Sequence, residues 1–250
     1  MMSATTETQT GEADAVAARL GAVIQRIRAA EQRFGREPNS VRLLAVSKVQ
    51  PLDKIMAARH AGQRAFGESY VQEGIDKMAA LAKLTKRDPT VPQGLEWHFI
   101  GRIQSNKTRL IAEHFDWVHG LCDLRHAHRL GEQRPAGRPP LACCIQVNLS
   151  GETSKAGLKP GETADFIAAC RDINGIRLRG LMTLPPPAAT LAEQRRPFAE
   201  LRGLRDGLAT PEQPLQTLSM GMSDDLEAAI AEGATIVRIG TAVFGPRPQQ

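Results

Sequence analysis

Aromatic residues are scarce in this chain: phenylalanine, tryptophan and tyrosine together make up 4% of its 250 residues, and Tyr70 is the single tyrosine. A core built from this sequence is therefore aliphatic, and a surface that stacks nucleobases on aromatic rings has little to draw on. The net charge of +5 invites a nucleic-acid reading. The basic residues, however, are interspersed with acids, as in Glu193-Gln194-Arg195-Arg196, and form no continuous stripe. Nucleic acid is not an expected partner. No stretch of about 18 apolar residues occurs, which excludes a membrane-spanning helix. Residues 1–11 lack the apolar segment of a signal peptide and are expected to form a disordered tail on a cytoplasmic protein. Cys122, Cys143, Cys144 and Cys170 show no CxxC spacing and sit in apolar segments. Adjacent Cys143 and Cys144 point to opposite faces of a strand and do not share a zinc ion, so reduced, buried thiols and no metal site are expected.

From residue 12 to residue 250 the chain reads as one domain. Apolar residues at helical spacing (Val16, Leu20, Val23, Ile24, Ile27) predict a helix from Glu12 to about Phe34. Short β-type runs then follow at 43–47, 64–67, 97–100, 116–119, 142–149, 177–181, 215–219 and 236–239. Between most of them lie amphipathic stretches at 52–61, 71–84, 106–114, 161–171, 191–208 and 224–232. Eight strands separated by helices predict a closed parallel (β/α)8 barrel, the TIM-barrel architecture, with an extra N-terminal helix that caps its bottom or packs on its side. The alternative, an open doubly wound sheet, carries fewer strands, and no GxGxxG follows the first strand here.

In such a barrel the carboxyl ends of the strands open on one face, where sites are built. The first strand ends in Ser47-Lys48, which aims an amine into the mouth. A pocket that desolvates it would lower its pKa from about 10.4 and suit it to Schiff-base chemistry; a solvated strand-end lysine is the alternative. The second, third, fourth and fifth strand ends offer Glu68-Ser69-Tyr70, His98 with the run to Lys107, His119, and Gln146 to Lys155. The seventh offers Ser219-Met220-Gly221-Met222-Ser223 before Asp224-Asp225, and the eighth Arg238-Ile239-Gly240-Thr241. Ser223 alone reads better as an ordinary helix N-cap, but small residues and hydroxyls in both of those last two loops, on neighbouring strands, fit a phosphate cradle. Arg238 shares a strand face with Gly240 and needs an acceptor, either a ligand's ring nitrogen or a salt bridge to Asp224 or Asp225. A lysine, a phosphate cradle and an arginine for a ring nitrogen together suggest pyridoxal 5'-phosphate.

The same residues resemble the pyridoxal phosphate homeostasis family, which is similar to the N-terminal barrel of bacterial alanine racemase. The strings that carry the resemblance span the chain from Leu43 to Arg247: Leu44–Lys48, Phe66–Glu73, Trp97–Gly101 with Gln104–Lys107, Gly180–Thr183, Leu218–Ser223, and Val237–Thr241 with Phe244-Gly245. The resemblance implies pyridoxal 5'-phosphate held as a Schiff base on Lys48, its phosphate on Ser223, Gly240 and Thr241, and Arg238 near its pyridine nitrogen. Met222 and Ser69 complete the expected cofactor-binding set. Ser69 departs from the family pattern, which has asparagine there, and Leu184 falls where the racemase barrel has a ring-stacking histidine. The racemases draw an acid/base group from a second, β-rich domain, and the chain ends within a few residues of its eighth strand. No catalytic residue is therefore expected, and the family role is buffering and delivery of the cofactor, with cofactor-dependent apoenzymes as candidate partners of a monomer. The rival readings are a weakly active racemase or lyase using Lys48 as its base, and a phosphosugar-binding barrel without the cofactor. Lys107 and Lys155, also near the mouth, are candidates for transiently accepting the cofactor.

Overall fold

A computed structural model describes residues 3–87, 94–152 and 155–246. Its order is α1 (Ser3–Arg33), β1 (Arg42–Val46), α2 (Leu52–His60), β2 (Ala65–Glu68), α3 (Val71–Arg87), β3 (Glu96–Phe99), α4 (Thr108–His114), β4 (Trp117–Leu121), α5 (Leu124–Glu132), β5 (Leu141–Gln146), α6 (Thr163–Cys170), β6 (Ile176–Met182), α7 (Leu191–Leu208), β7 (Thr217–Ser219), α8 (Leu226–Ala231), β8 (Ile236–Ile239) and α9 (Thr241–Phe244). All strand pairings are parallel, and β8 pairs with β1 to close an eight-stranded (β/α)8 barrel.

Several differences from the sequence reading have local causes. Helix α1 runs back to Ser3, through most of the stretch expected as a tail. Helix α5 is not among the expected amphipathic stretches: it is one of the shorter helices, and its apolar stripe is only three residues long, Leu124, Ala127 and Leu130. It is started by Asp123, whose carboxylate accepts the Arg125 N–H at 2.8 Å. Strand β7 begins late because Leu215 adopts φ +42°, which breaks the extended backbone. Thr190 and Glu193 cap α7 reciprocally, the side chain of each bonding the other's backbone N–H.

The expected face of α1 is the buried one: Val16, Leu20, Val23 and Ile27 are all buried, each contributing roughly 1.5–3 kcal/mol. They set the helix against α2, α8 and α9, on the side of the barrel where β1 meets β8, rather than across its bottom. Cys143 joins the apolar layer outside the barrel and Cys144 lies inside it, as alternation requires. Burial pushes the Cys144 thiol up to about 12 and the Cys170 thiol to about 11, and all four cysteines are free. No metal-binding cluster and no helix able to cross a membrane occurs among the described residues.

Barrel interiors are usually filled by bulky aliphatic side chains. Here two small apolar clusters, Leu44, Ala65 and Ile236 on one side and Trp117, Cys144 and Met182 on the other, leave room for a polar string. Glu96 Oε1 lies 2.6 Å from His98 Nε2, His98 Nδ1 lies 2.8 Å from His119 Nε2, and His119 Nδ1 lies 2.7 Å from Ser219 Oγ. Strands β4 and β7 are not neighbours, so the last of these bonds crosses the lumen. His98 and His119, expected at the mouth, are thus fully buried beneath it. Burial pushes both imidazoles below their ordinary pKa, outweighing the attraction of Glu96 for His98.

Because the unfolded chain binds protons at these histidines before the folded protein does, stability is complete above about pH 6.5 and falls as pH drops below it. Each imidazole that stays neutral down to pH 5 should remove about 2 kcal/mol over that interval. Urea midpoints measured from pH 7 to pH 5 should fall with an onset near 6.5. A flat profile would contradict neutral, buried histidines.

Candidate functional site

Strand β1 delivers Lys48 to a tight turn. The ladder continues to Ser47, whose N–H reaches Gly67 O at 2.9 Å, and the turn closes when Gln50 N–H reaches Ser47 O at 3.0 Å. Between them Val49 takes φ +59°, a left-handed conformation that strains a β-branched residue. A buried ionic cluster outside the barrel holds that turn. Lys77 of α3 donates to Ser47 O at 2.7 Å, to Glu68 Oε1 at 2.9 Å and to Glu73 Oε1 at 2.5 Å. Ser47 Oγ donates to Glu68 at 2.6 Å, and Val49 N–H donates to Glu73 at 2.6 Å. Burial raises the Glu68 carboxyl despite Lys77 and Ser47, and its Oε2 finds no hydrogen-bond partner among the described residues. Ser47 and Glu68, read as mouth residues, therefore face α3 and act on the turn that carries Lys48.

The loop after β7 needs Gly221: its φ is +94°, and a Cβ there would sit 2.5 Å from that of Ala229. Met222 N–H bonds Asp225 Oδ1 at 2.5 Å, and Asp225 rather than Ser223 is the N-cap residue of α8. This removes the N-cap reading of Ser223 and shortens α8 relative to the expected start at Asp224. Arg26 of α1 fixes the same loop from outside, bonding Glu227 through two N–H groups at 2.5 and 2.6 Å and Ser223 O at 2.8 Å. After β8, Gly240 is the N-cap of α9, whose last carbonyls receive Arg19 Nε (Val243 O, 3.1 Å) and Lys54 Nζ (Phe244 O, 3.0 Å). Cations at that end complement the helix dipole, while the N–H groups of Thr241 and Ala242 have no intrahelical acceptor.

Arg238 is buried, with Nη1 donating to Ser219 Oγ at 2.8 Å and Nη2 to Thr183 O at 2.9 Å. Both partners are neutral, so the salt bridge to Asp224 or Asp225 is not what holds it. Burial lowers its pKa to about 10, with Asp225 pulling the other way. Arginine nevertheless stays charged at neutral pH.

Lys48, Ser69, Met222, Ser223, Arg238, Gly240 and Thr241 all line one cavity of about 590 Å³ at the barrel mouth, within the usual range for a small-molecule site. Val46, Gln50, Ile100, Met182, Leu184, Asp224 and Ala242 complete its wall. Leu184 thus offers an aliphatic face at the position noted for a stacking ring. A second cavity, lined by Ser69, Tyr70, Gly101, Arg102 and Lys107 among others, adjoins it. Gly101 lets the chain pass there, since a Cβ on it would come 2.2 Å from Ser69 O. Lys155 pairs with Glu152 at 3.0 Å, and neither Lys107 nor Lys155 lines the Lys48 cavity. Thr153 and Ser154 lie outside the described residues. The Lys77 cluster and Arg26 carry little sequence signal because they act on backbone from helices; the only hint is Glu73 four residues before Lys77.

Removing the Lys77 charge would leave two carboxylates facing each other without a cation. Lys77→Met should cost about 2–4 kcal/mol in urea unfolding. A midpoint equal to that of the unsubstituted protein would show that the cluster does not hold the turn.

Residues 18–248 match the alanine racemase N-terminal domain family. The "Pyridoxal phosphate homeostasis protein" of Pseudomonas aeruginosa is 53% identical over 93% of this chain and 96% of its own length. Its namesake in Escherichia coli K12 is 49% identical over 93% and 97%. Among solved structures, PipY of Synechococcus elongatus PCC7942 with PLP bound superposes with a TM-score of 0.76 at 37% identity, covering 92% of this chain and all of that one. With identity this high over nearly its whole length, on a barrel whose mouth gathers the expected residues, the chain belongs to the pyridoxal phosphate homeostasis proteins, within the alanine racemase N-terminal domain family.

Proposed function

We propose that this protein binds pyridoxal 5'-phosphate at the barrel mouth, covalently through Lys48, and serves intracellular homeostasis of that cofactor by buffering and delivering it. The observation that carries the reading is the convergence of Lys48, Arg238 and the loops after β7 and β8 on one cavity. The donor set fits the group. An amine on a clamped turn suits an aldehyde, exposed backbone N–H groups and hydroxyls suit a phosphate, and a buried guanidinium with donors to spare suits a ring nitrogen. When bound, the cofactor supplies an electrophilic aldehyde and an electron-withdrawing ring.

The chain's own residues divide the work. Ser223, Thr241 and the N–H groups at the start of α9 hold the anion, with Met222 at the rim of that loop and Gly240 keeping it open. Ser69 stands where a longer amide would reach further into the cavity. Arg238 only donates, so a ring nitrogen facing it stays unprotonated and the ring is a weaker electron sink. This favours holding the cofactor over turning it into a catalyst. Tyr70, the one tyrosine, lines the adjoining cavity rather than that of Lys48. The rival reading, a slow racemase or lyase with Lys48 as its base, has the same cavity but requires acid/base groups on both faces of a substrate.

Titrating the purified protein with pyridoxal 5'-phosphate should produce a visible absorption band that Lys48→Ala lacks. A band of equal strength in Lys48→Ala would defeat covalent binding at this residue. Incubation with L- and D-amino acids in deuterium oxide should give negligible exchange at Cα; robust exchange abolished by Lys48→Ala would establish the enzyme reading instead.

A further inference from the structure

A buried guanidinium with only neutral hydrogen-bond partners is costly unless a counter-charge reaches it. Asp225 acts on it through space without a hydrogen bond, and a second carboxylate, itself paired with Arg42, lies at the other end of a polar string through the barrel. Glu96 sits at the start of β3, and its carboxyl is held down at about 2: burial alone would raise it, but hydrogen bonds from His98 and Arg42 prevail. Arg42 Nη2 donates to the same Oε1 at 2.6 Å. Arg238 and Glu96 are thus a cation and an anion joined through Ser219, His119 and His98.

The direction of every proton in this string follows from its two ends. Arginine has no acceptor, so Ser219 Oγ accepts from Arg238 Nη1, and its own proton is left for His119 Nδ1. From the other end, an ionised Glu96 only accepts, so His98 carries its proton on Nε2. A neutral imidazole has one N–H, which leaves His98 Nδ1 bare and obliges His119 to donate from Nε2 across the 2.8 Å contact. His119 Nδ1 is then bare, as the serine requires. Both ends dictate the same tautomers, and moving any one proton would set two lone pairs or two protons face to face. The dipoles all align from the cation towards the anion, which strengthens each bond and stabilises the charge at both ends. Trp117 stacks on His98 with ring centroids 5.4 Å apart and planes 7° from parallel, fixing that ring.

We propose that Ser219, His119 and His98 form a polarised relay whose task is to anchor Arg238 as a fixed donor at the floor of the cavity, making them positioning residues for the ring contact. For the identity of the ligand the inference rests on the function proposed above. Ser219 locks one Nη group and the Thr183 carbonyl the other, so the guanidinium plane is set by two acceptors. Without the histidines the serine hydroxyl turns freely, and without the hydroxyl Arg238 keeps the Thr183 carbonyl as its single anchor.

Nitrogen-15 NMR of the cofactor-free protein should show His98 and His119 both protonated on Nε2, with a scalar coupling between His119 Nε2 and His98 Nδ1. Ser219→Ala should bind pyridoxal 5'-phosphate about tenfold more weakly and with a displaced visible band, and Ser219→Thr, which restores the hydroxyl, should recover both. A proton on His119 Nδ1, or Ser219→Ala with wild-type affinity and spectrum, would overturn the relay. If Ser219→Ala fails to fold, the couplings in the unsubstituted protein and the Ser219→Thr affinity decide. Uptake of no cofactor by the unsubstituted protein would instead overturn the function proposed above, and the NMR tautomers and coupling would then decide the relay by themselves.

Discussion

Closure of the barrel by the pairing of β1 with β8 is the constraint on which everything else depends. Its register sets Leu44 opposite Arg238 and Ala45 opposite Ile239, so the turn after β1 and the helix start after β8 become neighbours. The two backbones run so close that a Cβ on Gly240 would lie 3.3 Å from Val46 O. The Lys48 amine and the loop after β8, far apart in the chain, thereby face one space. No open sheet of the same strands would bring them together, because β1 and β8 would then be separate edges.

Once closed, the site is stiffened from both sides of its wall. Outside, Lys77 and Arg26 grip backbone carbonyls of the turns after β1 and β7, and Arg19 and Lys54 grip the last carbonyls of α9. Inside, Arg238 is held by neutral groups that relay its charge to a carboxylate beyond the lumen. Many of the basic residues behind the nucleic-acid reading serve as such internal anchors or pair with acids, rather than forming one exposed basic face. A buried ion pair seldom adds much net stability, but losing one partner is expensive, so these contacts enforce a single geometry more than they deepen the energy well.

Much of the site is legible in the chain itself. Polar residues ending apolar runs mark strand ends in a parallel barrel, and the residues expected to hold the cofactor line a single cavity. What the sequence hides is depth and facing. A strand of a parallel barrel is buried on both faces, so alternation does not say whether a polar residue points to the lumen or to the helices. Hence His98 and His119 lie a layer deeper than their strand-end positions suggest, and Ser47 and Glu68 lie on the helix side of the sheet rather than at the mouth. Helix α5 is hard to read because its apolar stripe is only three residues long, Leu124, Ala127 and Leu130, and the backbone groups that Lys77 and Arg26 hold are ones that no spacing rule announces.

The central claim is that Lys48 is the amine that captures the cofactor. Protein loaded with pyridoxal 5'-phosphate, reduced with borohydride, digested and mapped by mass spectrometry should carry the pyridoxyl group on the peptide that contains Lys48. An adduct found mainly on Lys107 or Lys155, or none at all, would contradict it.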